Sequence, residues 1–279
     1  MSCCRVSTPI QKIMQRITKQ LEKISRSGHT GLMTHTVAGC PDLEFSKKVI
    51  LQMVQSGADF VEIQIPFSDP VADGPVMMGA NELALANGIR VQDVFKLAKQ
   101  VTQSVEVPIF FMGYFNTIFK MGIQEFCKKA KAAGIAGLIF PDIPFDEGMK
   151  ESFLQECQRC SLAPIQVVSE NTQTERLLEI AKIPGDLIYC QSRFGTTGVG
   201  KNFSENLSNF LHTVRQTTGK KIAVGFGIST PEDVQHLGQQ AEIAVIGSGL
   251  MKITLDETLS ESQKLKKVGD LVSSLKLAK

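Results

Sequence analysis

A chain of 279 residues, 43% hydrophobic and 21% charged, has the composition of an ordinary soluble protein and can bury a sizeable core. Its formal net charge of +2 gives no basis for nucleic-acid binding, and no apolar run approaches the ~18 residues that a membrane span needs. Seven scattered cysteines, an odd number in a long chain, point to reduced thiols and a cytoplasmic setting rather than to a disulfide scaffold.

The N-terminus lacks the charged, apolar and small-residue sections of a signal peptide. An opening helix is predicted from Pro9 to Ser25, where Ile10, Ile13, Ile17, Leu21 and Ile24 recur at helical spacing and Gly28 follows. From there short apolar runs alternate with longer amphipathic segments. The runs are Leu32 to Val37, Phe60 to Ile65, Val107 to Met112, Gly137 to Phe140, Ile165 to Val168, Leu187 to Cys190, Ile222 to Gly225 and Ile243 to Ile246. Helical patterns lie between them at Glu44 to Gln55, Val91 to Gln103, Ile123 to Ala133, Asp146 to Cys160, Thr174 to Ile183, Phe203 to Thr217 and Pro231 to Gln239. A closing amphipathic helix spans Ser260 to Leu277, its lysines forming a solvated face.

Eight repeats of strand plus helix predict an α/β fold, a (β/α)8 TIM barrel with an additional N-terminal helix; a doubly wound sheet with an added lobe is the alternative. A barrel of about 250 residues is commonly one domain. No linker or low-complexity tract divides the sequence, so residues 1–279 read as a single TIM-barrel domain.

The stretch DFVEIQIPFSDPVADGP, Asp59 to Pro75, carries the most chemistry. Alternation puts Val61, Ile63 and Ile65 on one strand face and Phe60, Glu62 and Gln64 on the other, so an acid occupies a face that a buried strand keeps apolar. Asp73 adds a second carboxylate on a loop bounded by proline and glycine. Two carboxylates in unlike surroundings can have their pKa values pushed apart for acid and base roles.

Enzymes of this fold act at the C-terminal ends of their strands, where this sequence delivers polar groups. The second strand is followed by Ser68, Asp69 and Asp73, the third by Tyr114 and Asn116, and the fourth by Asp142. Ser192 to Gly200 after the sixth strand has the glycines and hydroxyls of a mobile lid. Gly225 and Gly227, then Gly247 and Gly249, end the last two strands, where this fold usually binds phosphate. Pro231 suits a first helical position with Thr230 as its cap. No histidine or cysteine cluster has metal-ligand spacing; Cys157 and Cys160 form one CxxC without a second pair and read as helix residues. His35, on the first strand near the barrel mouth, is a candidate pocket-lining residue.

Taken with FMGYFN at Phe111, PDIP at Pro141, SRFGTTG at Ser192, GFGIS at Gly225 and GSG at Gly247, the string PFSDPVADGP resembles the tryptophan synthase α subunit family from about residue 10 to residue 254. The resemblance implies a lyase of L-tryptophan biosynthesis that cleaves indole-3-glycerol phosphate, a small-molecule phosphate substrate, to indole and glyceraldehyde 3-phosphate. Glu62 then matches the general acid/base and Asp73 the carboxylate facing the indole N–H. Tyr114, Met112, Ile139 and Phe226 fall in the indole pocket, Tyr189 beside the glutamate, and Thr197 on the lid. Gly198, Gly227, Gly247 and Ser248 fall where the family binds phosphate, and Asp69 and Pro70 where it contacts its partner.

The resemblance implies no metal and no cofactor in this subunit, pyridoxal phosphate in a β subunit, and assembly with that β subunit as an α2β2 heterotetramer. A non-catalytic regulatory subunit that activates the β subunit is the alternative. Three positions depart from the family's usual pattern: Gln64 stands where glycine is usual, Cys40 where aspartate is common before proline, and His35 where a large apolar residue is frequent.

Overall fold

The computed structural model describes residues 9–143, 148–191, 205–225, 227–238 and 240–277. Its elements run α1 (Pro9–Ser27), β1 (Gly31–Val37), α2 (Leu43–Gln55), β2 (Phe60–Gln64), α3 (Pro75–Ala86), α4 (Val91–Thr102), β3 (Ile109–Met112), α5 (Phe115–Met121), α6 (Ile123–Ala132) and β4 (Gly137–Ile139). They continue with α7 (Gly148–Cys160), β5 (Ala163–Val168), α8 (Thr174–Ala181), β6 (Leu187–Gln191), α9 (Glu205–Thr218), β7 (Lys221–Gly225), α10 (Pro231–Leu237), β8 (Ile243–Ile246), α11 (Ser248–Leu255) and α12 (Glu261–Lys276). All strands pair in parallel and in chain order, and β8 closes onto β1. Closure excludes the doubly wound alternative: the sheet has no free edge.

Strand alternation builds two cores. Phe60 and Phe110 point into the barrel, stacked 5.6 Å apart, with Met33, Leu187, Ala223 and Ile243 around them. Ile17, Leu21 and Ile24 of α1 join this inner cluster, so the amphipathic N-terminal helix covers the end of the barrel where the strands begin. The opposite strand faces, including Val61, Ile63 and Phe111, pack under the helices. There Phe95, Phe126, Phe140 and Phe153 meet edge to face.

Charges tie the lower end. Asp59 accepts from the backbone N–H of Leu32 at 2.9 Å, from Gln20 of α1 at 3.0 Å and from Lys276 of α12 at 2.5 Å, joining both terminal helices to the start of β1. Capping sets the helix starts. Asp42 accepts from Phe45 N–H, and Thr230 and Ser260 each form a capping box, with Pro231 following Thr230 as the sequence predicts.

Three helices are additions to the sequence-based reading. In α3 the buried stripe Met77, Ala80, Asn81 and Ala84 is blurred by Met78, Leu83 and Leu85 exposed on the other side, so the periodicity is weak. The helices α5 and α11 span 7 and 8 residues, too few for a period to emerge. Cys157 and Cys160 lie buried in α7, and burial raises both thiols, as it raises Cys40 to about 11. These thiols are protonated near neutral pH and lack the character of nucleophiles or metal ligands. No described helix is long and apolar enough to cross a membrane.

Glu242, just ahead of β8, accepts two bonds from Arg215, at 2.7 and 3.1 Å, and one from the Ile222 N–H at 2.8 Å. Burial pushes its carboxyl up, but the Arg215 and Ile222 bonds and the charges of Arg215 and Lys221 outweigh that and hold it below the ordinary value of 4.5. A depressed carboxylate contributes stability that is complete above its unfolded-state value and is lost as pH falls through the folded one. Glu242→Gln is therefore expected to lower unfolding free energy by about 1–3 kcal/mol near neutrality. In urea melts the gap from wild type should close as pH drops below about 4.

Candidate active site

The β1–β2 register places His35 beside Glu62 and Val37 beside Gln64. Because Phe60 points into the barrel, period-two alternation brings Glu62 and Gln64 inward as well. Glu62 and Gln64 are fully enclosed, and His35 is 8% exposed. His35 Nδ1 stands 3.0 Å from Glu62 Oε2. That is ion-pair distance without hydrogen-bond alignment, and neither Glu62 oxygen has an aligned partner among the described residues. A buried carboxylate without a counter-charge is strongly destabilising, so the imidazole is the group that makes Glu62 tolerable there.

Gln64 connects this pair to the loop above. Its Oε1 lies 2.8 Å from His35 Nε2, while its Nε2 donates to Asp73 Oδ2 at 2.6 Å and, more weakly, to Asn81 Oδ1 at 3.4 Å. Asn81 Nδ2 donates to Asp73 Oδ2 at 3.2 Å and to the Met77 carbonyl at 2.7 Å, and its Oδ1 accepts from Phe67 N–H at 3.0 Å. These backbone partners orient the Asn81 amide, and the Asp73 carboxylate orients that of Gln64. Gln64 thus offers an oxygen to His35, which requires a proton on His35 Nε2.

The loop between β2 and α3 is pinned from several directions. Ala72 N–H donates to Tyr114 Oη at 3.1 Å, Gln191 Nε2 donates to the Ala72 carbonyl at 2.8 Å, and the Phe67 and Tyr114 rings stack 5.1 Å apart. Pro75 takes the first helical position of α3 behind Gly74, which sets Asp73 at the cavity rim. Asp142 serves a different end: both its oxygens accept from Phe115 N–H, at 2.8 and 3.0 Å, at the start of α5.

Burial drives the Asp73 carboxyl above its ordinary value, against the Gln64, Tyr114 and Asn81 bonds and the His35 charge, which pull it down. Burial also pushes the His35 imidazole down, but the Glu62 contact, the charges of Glu62 and Asp73, and the Gln64 bond together raise it above 6.5. Tyr189 is held well above its usual value by burial, reinforced by Glu62 and Asp73. The phenol therefore stays neutral beside the carboxylates.

Above these groups lies a cavity of about 320 Å³. Met112, Ile139, Val167 and Val245 give it apolar walls, and His35, Asp73 and Tyr189 give it polar ones. One end is formed by Gly225, Gly227, Ser229, Gly247, Ser248 and Gly249 with Lys252. Two of these glycines are closely approached by side chains. A Cβ on Gly225 would stand 2.5 Å from Tyr189 Oη, and one on Gly247 would stand 3.3 Å from His35 Cβ. Gly227 has a φ of +68°, a conformation that L side chains rarely adopt. The N-terminus of α11 at Ser248 turns free N–H groups and a favourable dipole toward this end.

Glu62, Asp73, Met112, Ile139, Tyr189, Gly227, Gly247 and Ser248 are thus brought to the cavity or directly behind its wall. Tyr114 stands back from the cavity and holds Ala72. Thr197, Gly198 and Phe226 lie outside the described residues, as does the whole Ser192 to Gly200 segment. Asp69 is exposed and Pro70 is buried, while Val71 between them and the cavity loop is 80% exposed. Asn81, Gln191 and Lys252 escape sequence-based reading. Asn81 leaves one trace, a polar residue on the buried stripe of α3.

A parallel barrel whose strand ends surround an apolar cavity, with one carboxyl enclosed behind its wall and another on its rim, has the architecture of a (β/α)8-barrel enzyme with a candidate acid–base site. A family model described as "Tryptophan synthase alpha chain" matches residues 21–279. The tryptophan synthase alpha chain of Desulfotalea psychrophila is 40% identical over 260 residues, 92% of this chain and 99% of that one. That of Desulforapulum autotrophicum is 39% identical over 244 residues, 88% and 93% of the two chains. Among solved structures, a chain from Aquifex aeolicus VF5 superposes with a TM-score of 0.83 at 30% identity, covering 94% of this chain and 97% of the other. A mutant tryptophan synthase alpha-subunit from Pyrococcus furiosus gives 0.81 at 27% identity over 88% and 98% of the two chains. The chain belongs to the tryptophan synthase alpha chain family.

Asn81→Ala would strand the Phe67 N–H and withdraw one donor from Asp73. It is expected to lower unfolding free energy by about 1–3 kcal/mol, measured by denaturant melts. The β2–α3 loop should become more sensitive to limited proteolysis.

Proposed function

We propose that this chain catalyses the retro-aldol cleavage of indole-3-glycerol phosphate to indole and glyceraldehyde 3-phosphate, with Glu62 and Asp73 as its catalytic residues. The observation that carries the assignment is the placement of the two carboxylates: Glu62 enclosed on a rigid strand behind His35, and Asp73 on the rim of an apolar cavity. Cleavage requires a proton at indole C3 and the loss of one from the glycerol hydroxyl beside the breaking bond. The electron pair of that bond returns to the indole ring and the hydroxyl carbon becomes an aldehyde. One carboxyl that gives the first proton and takes the second leaves the site as it began. Positive charge develops on the indole nitrogen when C3 is protonated, so a fixed Asp73 carboxylate stabilises the transition state more than the ground state.

Met112, Ile139, Val167 and Val245 suit a planar apolar ring, and Tyr189 flanks Glu62. The glycines at Gly227 and Gly247, Ser248 at the start of α11 and the ammonium of Lys252 suit a phosphate at the far end. Thr197 and Gly198 are proposed to close and complete this site, and Phe226 to face the ring. Glu62 has no exposed surface in the free chain, so a bound substrate has to open the cavity wall over it; catalytic contacts commonly reorganise in a Michaelis complex.

The chemistry needs no cofactor in this subunit. The partner is a tryptophan synthase β subunit carrying pyridoxal phosphate, as an α2β2 heterotetramer in the cytoplasm. Asp69 and the neighbouring Val71 offer exposed surface to it beside the loop that carries Asp73, and buried Pro70 stiffens that turn.

Indole release is expected to be slow for the chain alone and faster with the β subunit. Glu62→Gln should reduce it by at least about 10²-fold with the circular dichroism spectrum unchanged. Retained turnover in that variant would refute the role of Glu62. Stimulation of the β subunit without any indole release by the wild type would instead favour a purely regulatory subunit.

A further inference from the structure

We propose that His35 is a positioning residue for the acid–base step: His35 and Glu62 hold one proton between them, and Gln64, anchored on Asp73, fixes the imidazole with Nδ1 turned to the Glu62 carboxyl, so that a small reorientation of the carboxyl passes this proton between Nδ1 and Oε2. The inference rests on the assignment of Glu62 above and extends it to residues that assignment does not use.

Geometry carries it. Both His35 nitrogens are engaged, Nδ1 at 3.0 Å from Glu62 Oε2 and Nε2 at 2.8 Å from Gln64 Oε1. The Gln64 amide cannot turn over without directing its oxygen at the Asp73 carboxylate, 2.6 Å from its nitrogen. Nε2 therefore keeps a hydrogen throughout, and the imidazole can exchange a proton only at the nitrogen facing Glu62. Gly247 closes behind the ring, where an added Cβ would press on His35 Cβ. His35 thus has a fixed side chain, a fixed tautomer and a carboxyl partner with no aligned alternative among the described residues.

The proton count closes around this arrangement. With the shared proton on Oε2, Glu62 is a neutral acid and His35 a neutral imidazole. Glu62 gives that proton to indole C3 and becomes a carboxylate. It then takes the proton of the glycerol hydroxyl as the aldehyde forms, and the pair returns to its starting state. Before the reaction the same proton can rest on Nδ1, where the imidazolium offsets a carboxylate that the barrel interior would otherwise leave unpaired. His35 acts on the reaction through Glu62, as the second holder of the transferred proton. The titratable groups around it are Glu62 from β2, Asp73 from the loop, Tyr189 from β6 and Lys252 from α11, with Gly247 contributing none.

Two measurements test the proposal. The first follows indole release against pH, in complex with a β subunit, for wild type and His35→Asn, whose amide can donate toward Glu62 but cannot titrate. The expected result is a fall in kcat of at least about tenfold with KM within about threefold. The alkaline limb of the profile, where the shared proton is lost, should move to lower pH by about one unit or more. An Asn variant with the wild-type kcat and both limbs in place would overturn the proposal, because a donor alone would then suffice.

The second follows the His35 imidazole by NMR through a pH titration of the free chain and of Glu62→Gln. A midpoint above 6.5 in the wild type, falling by about one unit or more in the variant, is the expected outcome. An unchanged midpoint overturns the proton pair whether or not the chain turns over. Absence of indole release by the wild type, with the coupling intact, would sink the assigned reaction and leave the pair standing.

Discussion

The contact between His35 and Glu62 is the constraint on which the site depends. A carboxyl with no exposed surface and no aligned hydrogen-bond partner among the described residues is an unfavourable group inside a barrel. Its neighbours are arranged to make it tolerable. His35 supplies the compensating ring, Gln64 holds that ring, Asp73 and Asn81 hold Gln64, and Gly247 leaves room for His35. Each member is held by the next, which is how polar groups persist together inside an apolar core.

The fold supplies this arrangement through register. Parallel pairing sets His35 and Glu62 side by side, and alternation turns both inward one layer above the stacked Phe60 and Phe110. The strand's lower part is a packed apolar floor and its upper part delivers chemistry. Asp59 and Glu242 are charged groups used for structure: each holds a basic side chain and a backbone N–H at the end opposite the cavity. Such a division between a stabilising face and a reactive face is general for this fold.

Much of this was legible from sequence because strong periodicities report it. Eight apolar runs separated by amphipathic segments are a barrel's signature, and the odd placement of Glu62 shows against the strand's own alternation. What escaped has physical reasons. Short helices such as α5 and α11 carry no full period, and the exposed leucines of α3 hide its buried stripe. Asn81 and Gln191 act through hydrogen bonds to segments distant in sequence, which no local pattern records. Gln64 and His35 were visible only as departures from a familiar pattern; that they meet each other depends on β1–β2 register, which appears only once the strands pair.

The two carboxylates belong to one unit, linked through Gln64 and His35. A double-mutant cycle tests it most directly, because His35→Phe and Gln64→Leu each cut the same chain of contacts at a different link. Measured as kcat/KM for indole release, the double variant is predicted to fall within about threefold of the worse single variant. Losses that multiply, as expected for two independent residues of a cavity wall, would contradict the account.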